Sequence, residues 1–201
     1  MEASFLQRHP FIKDTLSIIV FIICVIVGTL LINSFVFRSF SVVGPSMEPT
    51  FYTGDRLIVS RLPVTWAQLQ NEQYVPERGQ IIVFKNPNFS LGSVDEYVIK
   101  RVIAFPGERV TVQNGIVTVF NESSPEGFQP AETLDFTDQL SGPTSGQVDT
   151  VVATDTLFVM GDNRVDQFSC DSRDCLGTIP YYDVIGPVSL RIFPFDAIRL
   201  F

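Results

Sequence analysis

Ser46 lies in Gly44-Pro45-Ser46-Met47-Glu48-Pro49-Thr50, and Lys100 in Tyr97-Val98-Ile99-Lys100-Arg101-Val102-Ile103. The chain has three lysines, Lys13, Lys85 and Lys100, and one histidine, His9. A long apolar run separates His9 from Ser46. A serine nucleophile beyond that run therefore has no histidine of this chain for a base. A serine hydroxyl is a weak nucleophile until a base takes its proton. Lysine serves when its ammonium is neutral part of the time, and burial lowers a lysine pKa by disfavouring the charged form. Alternate residues of a strand share a face. Lys100 then stands between Val98 and Val102, with Tyr97, Ile99, Arg101 and Ile103 opposite. A solvated lysine on an edge strand is the ordinary alternative. The chemistry indicated is Ser–Lys hydrolysis at a membrane surface.

Elements must hold those two residues together. Residues 15–37, TLSIIVFIICVIVGTLLINSFVF, carry no formal charge. At about 1.5 Å per residue, a helix of this length reaches across a hydrocarbon core. A cleaved signal peptide is the competing reading, but its apolar region is shorter and ends in a small-x-small site. The exit here is Phe35-Val36-Phe37-Arg38-Ser39-Phe40, with no such site. Arg8 and Lys13 precede the span and Arg38 follows it, so the positive-inside rule favours a cytoplasmic N-terminus. The expected organisation is a cytoplasmic N-terminus at 1–14, a transmembrane anchor at 15–37 and an extracytoplasmic catalytic β domain at 38–201. That topology is single-pass, in the plasma membrane.

Beyond the anchor, strand candidates fall at 56–60, 80–84, 97–103, 116–120, 156–160 and 188–193. They are β-branched or aromatic and punctuated by Gly, Pro, Asn and Asp. Residues 62–77, with Trp66, suit a short helix or a loop against the membrane. Residues 121–150 are rich in Ser, Pro, Gly and acids and suit a loop-rich insertion. The fold class expected is mainly β, an antiparallel β-sheet catalytic domain with one N-terminal transmembrane helix. Net charge is −8, and no Lys or Arg occurs between Arg109 and Arg164. That balance argues against nucleic acid as a partner. A lipid bilayer is the partner the anchor implies.

Four ordered blocks behind the anchor carry a family resemblance. Ser46-Met47-Glu48-Pro49-Thr50 and Gly54-Asp55-Arg56-Leu57-Ile58-Val59-Ser60-Arg61 are the first two. Lys100-Arg101-Val102-Ile103-Ala104-Phe105-Pro106-Gly107-Glu108 is the third. Gly161-Asp162-Asn163-Arg164, followed by Ser169-Cys170-Asp171-Ser172-Arg173, is the last. In this order the chain resembles bacterial type I signal peptidases.

The resemblance implies roles. Ser46 would be the nucleophile and Lys100 the general base of a membrane-bound serine endopeptidase. It would remove signal peptides from preproteins after small-x-small sites. A serine of the last block would orient the lysine. Ser169 matches by its place before x-Asp-Ser-Arg. Val165-Asp166-Gln167-Phe168 makes that loop two residues longer than is typical, so Ser172 is the alternative. Asp171 and Arg173 resemble an ion pair, and Asp162 with Arg101 another. The Ser46 N–H would donate to the oxyanion. Some relatives add a serine hydroxyl two residues earlier, where this chain has Gly44. The second donor is left to a water or another backbone amide. Phe40, Val42, Met47, Phe51, Val98 and Ile99 would wall two shallow pockets, and the substrate would add as a strand. No cofactor and no metal are expected.

Three rivals were weighed. A cytoplasmic self-cleaving repressor-type Ser–Lys peptidase is disfavoured by the anchor. The penicillin-binding class wants Ser-x-x-Lys on one helix, which does not occur around Ser46. A catalytically inactive tethered β module that binds peptides would not need Ser46 and Lys100 together. Cys24 falls within the anchor. Cys170 and Cys175 bracket four residues of the last block. An extracytoplasmic compartment permits a disulfide between them, with two free thiols as the alternative. A zinc site lacks a second Cys or His pair outside the membrane.

Overall fold

The computed structural model describes residues 10–90, 96–165 and 169–201. Arg8 and His9, used above for orientation and for the missing base, lie outside the described residues, as do 166–168 of the lengthened loop.

Helix α1, Pro10–Phe35, is the apolar run. It starts earlier than the expected anchor, carrying Lys13 and Asp14 into its first turns, and ends before residue 37. Phe37 is instead taken by a strand, β1 (Phe37–Ser41), where it pairs with Ser60. Within α1, residues Phe11–Phe35 are long and apolar enough to cross a membrane, and none of that window is buried in the protein. A helix that is apolar all round needs lipid or protein to cover it.

The rest is mainly antiparallel β, in two sheets. The larger follows the order β1, β2 (Arg56–Ser60), β11 (Val184–Phe193), β3 (Ile81–Lys85), β4 (Tyr97–Ala104), β9 (Thr156–Met160) and β10 (Ile179–Pro180), with β12 (Arg199–Leu200) beside β11. The smaller has the order β7 (Ser124–Phe128), β6 (Ile116–Asn121), β5 (Arg109–Gln113), β8 (Val148–Val151). Strand β11 begins four residues before the expected 188. Its first half pairs with β3 and its second half with β2, with register shifts in both ladders. Residues 121–150, expected as loop-rich, supply β7, a short helix α3 (Pro130–Thr133) and the start of β8. Their exposed faces are polar, which hides the strand pattern. Residues 62–77 begin with helix α2 (Leu62–Leu69).

Strand β3 shows why the large sheet is covered on both faces. Ile81 and Val83 join one cluster with Val42, Met47, Phe51, Leu57, Val59 and Val188. Ile82 and Phe84 join another with Val102, Leu157, Val159, Ile179 and Val184. Alternation therefore sends successive residues into two cores. A third cluster sits where β4 and β9 meet the small sheet, with Ile103, Val110, Val119, Phe136, Phe158 and Met160.

Helix α2 is tied to the end of α1. The Thr65 hydroxyl donates to the Phe35 carbonyl at 2.9 Å, and the Arg61 amide to Val36 at 2.8 Å. Trp66, 65% exposed, thus stands beside the exit of the apolar helix, as do the exposed Leu62 and Leu69. Phe193 and Phe195 are also exposed, with ring centroids 5.5 Å apart. Trp66 at that exit suits a lipid interface, whereas Phe193 pairs with Arg56 at the far end of β2. Removing residues 1–36 should leave a domain that still sediments with phosphatidylcholine–phosphatidylglycerol vesicles, and Trp66 emission should shift to the blue on binding. Emission that ignores the vesicles would remove Trp66 from the contact.

Candidate active site

Three segments converge. The turn after β1 carries Ser46, with Glu48 N–H donating to the Pro45 carbonyl at 3.0 Å and Phe51 N–H to Met47 at 2.9 Å. Gly44 opens this turn at φ +86, a conformation that glycine adopts without a Cβ penalty. Its amide N–H donates to the Thr53 hydroxyl oxygen at 3.1 Å. The Ser46 amide donates to no described group. Strand β4 carries Lys100. Strand β3 flanks β4 along its length, pairing Ile82 with Lys100, whereas β9 begins to pair only at Arg101. Among the described residues, no strand pairs with the other edge of β4 at residues 97–99. The segment after β9 supplies the third, residues 161–165 and 169–173.

Lys100 is 3% exposed, and its Nζ lies 2.7 Å from Ser46 Oγ. Next to it, Arg101 grips Asp162 through two bonds, Nε to Oδ1 at 2.8 Å and Nη2 to Oδ2 at 2.6 Å. The Thr50 hydroxyl donates to the same Oδ2 at 2.6 Å. Asn163 holds the Ser46 carbonyl through its amide N–H at 3.1 Å and the Pro45 carbonyl through its side chain at 3.1 Å. The Ser46 turn, β4 and the last loop are thus fastened by one buried polar network.

Ser169 is fully buried and donates to Asp171 Oδ2 at 2.8 Å. Its Oγ and the Ser46 carbonyl both lie where a Cβ on Gly161 would stand. Ser172 faces away: its Oγ accepts the Val159 N–H at 2.9 Å, and its own N–H returns to the Val159 carbonyl at 3.0 Å. Asp171 is buried, a cost that alone would raise its pKa. Two Arg173 bonds, the Arg173 charge, and the N–H groups of Gly161 and Arg173 outweigh that cost and hold it below the ordinary carboxylate value. Burial likewise opposes ionisation of Glu108, and Arg78, Asn121 and the Phe105 N–H overcome it. Cys170 and Cys175 are joined by a disulfide, with α-carbons 5.4 Å apart. The ring it closes contains Asp171, Ser172 and Arg173.

Ser46 and Lys100 open into a cavity of about 380 Å³. Phe40, Val42, Met47, Val98 and Ile99 line it, with Tyr97, Val83, Cys170 and Leu176. Phe51, expected in the wall, is not there. It is fully buried behind Met47, its ring 4.7 Å from that of Phe201. Helix-like turning after Ser46 carries its side chain into the core rather than toward the groove.

The family model described as signal peptidase, peptidase S26, matches residues 12–193. The chain belongs to that family. It is 32% identical to a signal peptidase I of Bacillus licheniformis, over 89% of this chain and 88% of that one. A signal peptidase I of Bacillus amyloliquefaciens is 31% identical, over 89% and 88%. A probable signal peptidase I-1 of Synechocystis is 32% identical, over 92% and 84%. Signal peptidases of this family are serine endopeptidases, and the chain is one by that membership.

Several residues of this signal peptidase site were not singled out in the sequence. Thr50 and Asn163 stand within the quoted blocks, yet nothing in their type separates them from turn residues. Gln139, whose side chain accepts from Arg101 at 2.9 Å, comes from the polar stretch 121–150. Gly161 and Arg164 read as spacers until the packing is visible. No group of three or more His, Cys, Asp or Glu side chains arranged to hold a metal occurs among the described residues.

Gly161→Ala tests the packing. The added Cβ meets the Ser169 hydroxyl and the Ser46 backbone carbonyl, and backbone cannot swing aside. The expected result is a loss of about 1–3 kcal/mol in stability with at least a tenfold fall in peptidase activity, checked by urea unfolding and peptide cleavage. Acid stability is a second test. Asp171 and Glu108 have folded pKa values below their unfolded values of about 4, so their stabilisation is present above that pH and is lost as pH falls through the folded values. Unfolding free energy should therefore drop below about pH 4, and Asp171→Asn should flatten that drop while lowering stability at neutral pH.

Proposed function

We propose that the protein is a membrane-anchored endopeptidase that removes signal peptides from exported preproteins by Ser–Lys catalysis. One observation carries the reading: Lys100 Nζ lies 2.7 Å from Ser46 Oγ, at the wall of an apolar cavity, in a chain of the signal peptidase family. In the reactive state the neutral Lys100 amine accepts the Ser46 proton as Oγ attacks the scissile carbonyl carbon. The oxyanion takes the Ser46 N–H, which donates to nothing else described. The Lys100 ammonium then protonates the leaving amine as the C–N bond breaks. Water hydrolyses the acyl-serine ester, with Lys100 again the base.

Ser169 is the orienting serine in this reading. It is buried against the Ser46 backbone, whereas Ser172 is spent on Val159. Asp171 and Arg173 fix the loop that carries it. A preprotein segment would add to the unpaired edge of β4 at residues 97–99, so backbone bonds supply affinity that tolerates sequence. The side chains of Phe40, Val42, Met47, Val98 and Ile99 leave shallow room that fits Ala or Gly. The cytoplasmic N-terminus and extracytoplasmic catalytic domain rest on the positive-inside balance. The Cys170–Cys175 bridge suits the same side of the membrane.

Ser46→Ala and Lys100→Ala should each lower preprotein cleavage by at least about a thousandfold, and the double variant should lose little more, because the pair acts as a unit. Lys85→Ala, at the exposed end of β3, should be nearly neutral. Cleavage by Lys100→Ala at the wild-type rate would sink the mechanism, and a wild-type protein that binds signal peptides without cutting them would establish the binding module instead. Because the base must be deprotonated, kcat/KM should rise toward alkaline pH through one ionisation.

A further inference from the structure

The buried network behind the dyad holds an odd charge. Asp162 is matched by Arg101 and Asp171 by Arg173, each at 2.6 to 2.9 Å. Arg164 is the fifth member. It is 2% exposed and among the largest fully enclosed side chains in the protein. Its guanidinium donates to the Gly161 carbonyl at 2.8 Å and to the Thr144 hydroxyl at 3.2 Å. Among the described residues, no carboxylate comes within ion-pairing distance of it. Three guanidiniums against two carboxylates leave one buried positive charge. Burying a charge without a counter-ion is costly, and a simple packing role would be met by an apolar side chain of the same length.

The position of this charge gives it a task. Gly161, whose carbonyl it holds, is pressed against the Ser46 carbonyl and Ser169, and Ser46 Oγ meets Lys100 Nζ. We infer that Arg164 is a positioning residue whose unmatched charge, set behind Ser46, biases Lys100 toward the neutral amine that the reaction needs. The inference rests on the Ser46–Lys100 reading above. Arg164 touches neither the reacting atoms nor the cavity; it acts through the lysine. Its own ionisation reflects the same surroundings. Burial first, then Arg173 and Arg101, push it down to about 10 against the pull of Asp162 and Asp171. It remains charged at neutral pH.

Other charged groups surround the lysine. Arg101 lies on its own strand, Glu48 on the nucleophile turn, Asp162 on the loop after β9, and Asp171, Arg173 and Asp174 on the disulfide loop. Glu96 stands at the cavity rim and Lys85 on β3 is exposed. Asp95 and Asp166 lie outside the described residues. All of these are unchanged in the variants below, so their effects cancel in the comparison.

The experiment is the pH dependence of kcat/KM on a peptide with an Ala-x-Ala site, using the full-length protein in detergent. Arg164→Met removes the charge at similar length and should raise the alkaline ionisation by roughly one pH unit, the order of effect one buried charge in the same network exerts in a protein interior. Arg164→Lys restores the charge only below that lysine's own burial-lowered pKa, so the ionisation should fall between those of Arg164→Met and the wild type. Thr144→Asp retains the arginine but sets a carboxylate beside it, and should shift the ionisation upward as well. This third variant reads the charge even if Arg164→Met fails to fold. A merely structural arginine would give variants of lower activity with the ionisation in place, and that result overturns the inference. Absence of any alkaline ionisation in the wild type would instead overturn the dyad, so the two failures are distinct.

Discussion

The bidentate contact between Arg101 and Asp162 is the constraint on which the site depends. Arg101 follows Lys100 directly in β4, so its side chain fixes the register of that lysine against the loop after β9. Asp162 also receives Thr50 from the nucleophile turn, and its neighbour Asn163 grips the Ser46 and Pro45 carbonyls. One buried carboxylate therefore joins three segments that are far apart in sequence. Burial makes this contact conditional: a paired charge in the interior is tolerable, whereas removing one partner strands the other at a cost of about 3–5 kcal/mol. The arrangement is thus nearly all-or-none. The Arg101 guanidinium also stacks 4.5 Å from the Phe136 ring, which extends the dependence to the core beneath the small sheet.

That core explains why a second sheet is present. Strands β5 to β8 contribute no side chain to the cavity wall, yet Val110, Val112, Val117 and Val119 cover the inner face of Ile103, Phe158 and Met160. The loop from α3 toward β8 adds Gln139 to Arg101 and Thr144 and Ser145 to Arg164 and Arg173. The smaller sheet thereby walls the buried charges off from water, and in a low dielectric each of those charges acts more strongly.

The sequence conveyed the chemistry and the main sheet better than the periphery. Strands at 56–60 and 156–160 appear with those bounds because each has a buried apolar set, Leu57 and Val59 in one and Leu157 to Met160 in the other, flanked by turn residues. Strand β1, with its Arg38 and two serines, offered no such pattern; it exists because Phe37 through Ser41 find partners on β2. Strands β7 and β8 were hidden for the same reason: Ser124-Pro125-Glu126-Gly127-Phe128 and Val148-Asp149-Thr150-Val151 are half polar, and their pairing is a tertiary fact. The Ser46 and Lys100 contact could be anticipated from the lack of a histidine beyond the apolar run together with the four-block family resemblance, since residue types alone left Lys100 open as a surface lysine. The place of Phe51 could not, because an apolar residue five positions after Ser46 serves equally as pocket wall or core until the turn geometry is known. Arg164 was invisible as more than a motif letter, because burial with no counter-ion among the described residues leaves no mark in sequence.

The passage from α1 to β1 takes a single residue, Val36, and both sides of it are pinned to the residues around α2. There is no slack there for the catalytic domain to swing on its anchor. Ser46 is ten residues beyond Val36, on a turn fixed to the same sheet. With α1 in a bilayer, the height of the serine hydroxyl above the lipid becomes a built-in length. A peptide that also emerges from the lipid would then be measured as well as recognised, and the bond cut would be the one whose distance from the membrane matches this ruler.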